Sequence, residues 1–77
     1  MKVGDIVKSL DFNGNDKTYM IGKVLVVSEE LGVFGAKLIE RVVEGNTKPL
    51  KAETFTAPLQ GNFMFDNAEM PRVTIIA

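Results

Sequence analysis

Histidine and cysteine are both absent from this sequence, so any chemistry falls to its serines, carboxylates, lysines and arginines. Nucleophilic catalysis of the Ser-His-Asp or Cys-His kind needs a base that titrates near neutrality, and that base is missing. A Ser-Lys or carboxylate-pair site would have to draw on Ser9, Ser28, Lys23, Asp11 or Glu40, and no motif gathers them. The expectation is a non-enzymatic protein with no catalytic residues. Zinc loses its commonest ligands, and disulfides are impossible. The run Asp11-x-Asn13-Gly14-Asn15-Asp16 has the look of a calcium loop, yet its glycine is fourth rather than sixth, and Gly22 stands at the twelfth position where a bidentate acid is needed. None of the glycines forms a phosphate-cradling Gly-x-Gly-x-x-Gly or Gly-Lys-Ser/Thr motif. Neither metal nor cofactor is expected.

Two sets of residues suit binding. Lys37 and Arg41 would share one face of a strand and, with Lys23 on its neighbour, make a basic strip beside Tyr19. Such a strip could hold a nucleic-acid backbone and stack a base on the ring. The plainer reading is a solvated face, because nine cations against ten acids give a net charge of -1 and no long-range pull on phosphate. The second set is Phe63, Met64, Phe65 and Met70, which could anchor a partner protein or a second subunit. Alternatively, Phe63 and Phe65 plug the open end of a small core.

The elements that must position these residues read mostly as strands. In residues 5–12, Ile6, Lys8, Leu10 and Phe12 alternate with Val7, Ser9 and Asp11, and Asn13-Gly14 suits a tight hairpin turn. A return strand is expected over 18–28, with Gly22 marking a bulge or bend. Residues 29–45 are two-sided. Leu31, Phe34, Leu38 and Val42 recur at helical spacing, whereas Gly32, Gly35 and the β-branched Ile39, Val42 and Val43 oppose a helix. The strand is preferred, over 33–44, with Phe34, Ala36, Leu38 and Val42 inward and a turn at Gly45-Asn46. A further strand follows at about 50–56, then a long loop between Pro58 and Pro71, and a last strand over 72–76 that must be tied into the sheet or a partner.

With 77 residues, 45% of them apolar, the chain has room for one domain spanning 1–77. Cores this small supply only about 3–5 kcal/mol, so self-association is a natural source of added stability. The longest apolar runs, such as residues 24–27, fall far short of a membrane helix. The opening Met1-Lys2-Val3-Gly4-Asp5 is unlike a secretory signal, which points to a cytoplasmic protein.

Val3-Gly4-Asp5-Ile6-Val7 followed by Tyr19-Met20-Ile21-Gly22-Lys23-Val24 resembles the first two strands of KOW-like and Tudor-like SH3 barrels. The resemblance implies a mostly β fold, a five-stranded SH3-like barrel or roll; the alternative is an α+β fold with a helix at about 29–44. An aromatic cage is not evident, so recognition of methylated residues does not carry over. Length and the segments Phe55-Thr56-Ala57-Pro58-Leu59 and Pro71-Arg72-Val73-Thr74 are similar to those of small proteins of tailed phages that infect cyanobacteria. That similarity implies an origin, not an activity. The expected role is an interaction module, as a phage accessory protein in the host cytoplasm, working through the 58–71 loop and an exposed strand edge. Nucleic-acid binding and a structural homo-oligomer are the alternatives.

Overall fold

A computed structural model of the chain describes residues 1–10, 16–59 and 72–77. Six strands form one antiparallel sheet: β1 (Ile6–Leu10), β2 (Tyr19–Ser28), β3 (Val33–Val43), β4 (Asn46–Lys48), β5 (Thr54–Pro58) and β6 (Val73–Ile75). Their order is β4-β3-β2-β1-β6, with β5 also paired to β3. The described residues contain no helix, so the helical spacing of Leu31, Phe34, Leu38 and Val42 does not set the structure of 29–44. Instead Val33–Val43 pairs with β2 on one side and with β4 and β5 on the other. Two-sided pairing satisfies the backbone of a segment whose glycines and β-branched residues disfavour a helix.

The strand count is one higher than expected. Val43 lies opposite Asn46, which makes Glu44 and Gly45 the two turn residues and puts Asn46 into β4. Both carry positive φ, 51° and 81°, as a primed hairpin turn requires. The turn therefore sits one residue earlier than Gly45-Asn46. It is tied back to the approach to β2, since the Glu44 N–H donates to Thr18 Oγ1 at 3.1 Å and the Gly45 N–H to the Lys17 carbonyl at 2.8 Å. The strand expected at 50–56 is β5, shifted to Thr54–Pro58. The last strand is held in the sheet, with Val7 opposite Ile75 and Ser9 opposite Val73. The Asn13-Gly14 turn and most of the loop after Pro58 lie outside the described residues.

Core formation follows strand alternation. Val7, Val24, Phe34, Ala36 and Ala57 form the buried cluster, with Val27, Phe55, Leu59 and Val73 packed against it. These side chains come from β1, β2, β3, β5 and β6, so the sheet curls around them into a roll. In β1 the row toward this cluster contains Val7 and Ser9, while Ile6 and Lys8 on the other row are half-buried. Phe34 meets Phe55 edge-on, with ring centroids 6.1 Å apart. Phe34, Ala36, Leu38 and Val42 are all buried, but only the first three share the inward row: beyond the extra residue Ile39, Val42 pairs with Tyr19 on the opposite face, so the expected inward row ends at Leu38.

Curling needs places where the ladder yields, and β2 and β3 supply two. The register shifts between Ile21 and Gly22, where Ile39 is the extra residue in β3, and between Val24 and Val26, where Leu25 is the extra residue in β2. Bulges of this kind bend a strand and increase its twist. Gly22 stands at the first of them because nothing larger fits. A Cβ there would lie 2.5 Å from a Phe55 ring carbon and 2.8 Å from the Lys37 carbonyl oxygen.

Candidate interaction surface

Between the two bulges lies a block of three cross-strand pairs: Gly22 with Leu38, Lys23 with Lys37, and Val24 with Ala36. The first and last pairs are buried, so period-two alternation turns the middle pair outward, and both lysines are exposed. Two ammonium groups directly opposite one another on a sheet repel. Among the described residues neither lysine has a carboxylate partner within ion-pair distance, so none of them relieves this repulsion by a salt bridge.

Both bulge residues next to this pair are large, aliphatic and exposed. Leu25 is 50% exposed, Ile39 is 49% exposed, and Val26 beside the second bulge is 58% exposed. Leu25 also borders a shallow groove with Leu38, Leu50 and Lys37, whose polar rim includes Lys51, Glu53 and Thr54. The result is a surface with two cations at its centre and aliphatic side chains at its margins. Contiguous exposed aliphatic area rimmed by polar residues marks a surface able to take a partner.

Arg41 and Tyr19 do not join this pair, which corrects the expected strip. The extra residue Ile39 shifts the alternation of β3, so Arg41 stands opposite Met20, and Tyr19 stands opposite Val42. Tyr19 lies four residues from Lys23 along β2, roughly 13 Å at the usual strand rise. Its ring is already covered, because Lys8 Nζ sits 4.3 Å from the ring centroid. Leu10 and Val42 lie on either side of Tyr19 in adjacent strands, and both are buried outside the main cluster. The four candidate residues thus divide into Lys23 with Lys37, and Tyr19 with Arg41.

That second pair borders a concavity at the other end of β2, lined also by Ser9, Met20, Ala57 and Arg72. Arg41 Nη1 donates to the Pro49 carbonyl at 3.3 Å, and Arg72 Nε to the Leu10 carbonyl at 3.4 Å. Among the described residues no group of three acids stands close enough to hold a metal ion. No helix is long and apolar enough to cross a membrane, again among the described residues. Phe63, Met64, Phe65 and Met70 lie outside the described residues.

Residues overlooked in the sequence are Leu25, Ile39, Lys8 and Arg72. Alternation alone marks Leu25 and Ile39 as outward. Their grouping with the lysines depends on the bulges, for which Gly22 was the visible signal. Lys8 reaches Tyr19 only because Leu10, two residues away on β1, lies opposite Tyr19. No protein-family model matches the chain, and neither the curated proteins nor the solved structures contain a significant match to it.

Proposed function

We propose that this chain is a non-enzymatic interaction module, an SH3-like β roll that docks a partner protein on the outer face of β2 and β3. The observation that carries the reading is the exposed Lys23–Lys37 pair, without carboxylate partners among the described residues and set beside the exposed bulge residues Leu25 and Ile39. An acidic partner segment with apolar side chains would relieve the lysine repulsion and cover the aliphatic groups together. A phage origin, and with it work in a host cytoplasm, rests on the resemblance of Phe55-Thr56-Ala57-Pro58-Leu59 and Pro71-Arg72-Val73-Thr74 to segments of cyanobacterial tailed-phage proteins alone.

Self-association on this face is disfavoured, because a second copy would bring four cations together. The exposed Ile75 at the end of the outermost strand β6 and Ile76 just after it are the features that favour a homo-oligomer through an edge. Nucleic-acid binding keeps only the lysine pair, since Tyr19 is covered by Lys8 and Arg41 stands apart. Salt separates these readings: phosphate contacts weaken steeply as salt rises, whereas an interface with aliphatic anchors weakens less.

The test is affinity capture from a cyanobacterial lysate with wild-type protein and with a folded Leu25→Asp/Ile39→Asp variant. Proteins retained by the wild type and lost with the variant support the reading. Equal recovery by both overturns it.

A further inference from the structure

We propose that the groove beside Leu50 and Lys51 receives a short partner segment in which large aliphatic side chains are flanked by acids. The proposal rests on the docking face of β2 and β3 read above and extends it, because Leu25 and Lys37 belong to both. It adds a second wall, residues 50–54, which no strand pairing pointed to.

That wall belongs to the connection between β4 and β5. The connection leaves the sheet after Lys48, returns at Thr54, and is pinned near both ends: Arg41 Nη1 donates to the Pro49 carbonyl at 3.3 Å, and the Leu38 N–H donates to the Glu53 carbonyl at 2.9 Å. Pro49 also fixes its own φ just before Leu50. A wall held this way needs little ordering when a ligand arrives. The groove it makes against the sheet has a volume of about 700 Å³, room for several side chains.

Its chemistry has two parts. Leu25 and Leu50 both line it and are half exposed, so each has aliphatic area to give to a partner. Lys37 and Lys51 line it as well, and Lys23 stands opposite Lys37 in the ladder. Among the described residues none of these three cations has a carboxylate partner. Glu53 is the single acid of the lining, and all the lining residues and their sequence neighbours are described. Charge complementarity therefore selects an acidic segment, and the two leucines select aliphatic side chains over a bare run of acids. A nucleic acid would meet the lysines but find no aromatic ring in the lining on which to stack a base.

The test is a titration of the ¹⁵N-labelled full chain with the blocked peptide Gly-Asp-Glu-Leu-Asp-Leu-Glu-Asp-Gly, using the same peptide with serine for leucine and a short oligothymidylate as controls. Saturable shifts of the Leu25, Lys37, Leu50, Lys51 and Glu53 amides are expected with the leucine peptide. Leu50→Ser should weaken binding about tenfold through lost aliphatic contact. Lys51→Glu should weaken it about five- to tenfold, and Lys2→Glu, the same charge change away from the groove, should not. The amide spectrum of each variant reports its folding in the same experiment. No saturable shift at millimolar peptide, equal binding of either control, or equal loss with Lys2→Glu overturns the proposal. Shifts confined to the Lys23 and Ile39 amides overturn it while leaving docking on the β2–β3 face standing; that reading falls by its own lysate comparison.

Discussion

The two ends of the β2–β3 ladder are built from the same strands and do opposite things with their cations. Near Lys23 and Lys37 the ladder stays in register for three pairs, its inner side is sealed by Gly22, Val24, Ala36 and Leu38, and the charges stand outside. Near Tyr19 and Arg41, beyond the Ile39 bulge, Arg41 faces a concavity while Tyr19 sits beneath Lys8. The difference is one residue. An inserted amino acid changes which side of a strand every later side chain occupies, so a strip that looks continuous in sequence becomes two separate sites.

The comparison breaks most severely at Gly22. Gly22→Ala forces a methyl against Phe55 and the Lys37 carbonyl, and the carbonyl belongs to backbone that cannot give way. A loss of about 2–3 kcal/mol is expected from such overpacking. Urea denaturation should show most or all of the stability gone, because a domain of this size holds only about 3–5 kcal/mol. Both ends would be lost together.

Changes confined to one end should leave the other intact. Leu25→Asp with Ile39→Asp is expected to reduce partner binding more than tenfold while shifting the unfolding free energy by less than about 0.5 kcal/mol per exposed substitution. At the other end, Lys8→Met removes the ammonium over Tyr19 and should cost about 0.5–1 kcal/mol with no change in partner binding. Thermal unfolding and the capture assay measure the two effects.

The smallest effect is the most informative. Lys23→Glu replaces a repelling cross-strand pair by an attracting one and should stabilise the fold by about 0.2–1 kcal/mol. The same change should abolish capture of an acidic partner. A gain in stability coupled to a loss of binding is the mark of a surface kept for recognition. A loss of stability would mean that the lysines do not repel in the folded chain.

Much of the fold was legible because alternation is a local signal. Phe34, Ala36 and Leu38 were readable as an inward row, which the bulge at Ile39 ends before Val42, and the positions of β1, β2 and β6 followed from β-branched runs between turn residues. The helix over 29–44 was a genuine competitor, since Phe34, Leu38 and Val42 fit a period of two as well as the helical spacing that also takes in Leu31. Pairing on both sides of β3, a long-range property, decided between them. The turn at Glu44-Gly45 was displaced by one residue because Glu is a rare occupant of positive φ, tolerated here with its N–H donating to Thr18. The basic strip was misread for a related reason. A bulge shows in sequence only as a glycine that could have several purposes, and Gly22 did not reveal that the extra residue would be Ile39 on the neighbouring strand.

The separation of the two ends is tested most directly by amine-reactive footprinting of the chain with its captured partner bound, read by mass spectrometry. Lys23 and Lys37 should lose reactivity together, while Lys2 and Lys17 keep theirs. Unchanged labelling of Lys23 and Lys37 in the complex would contradict the account.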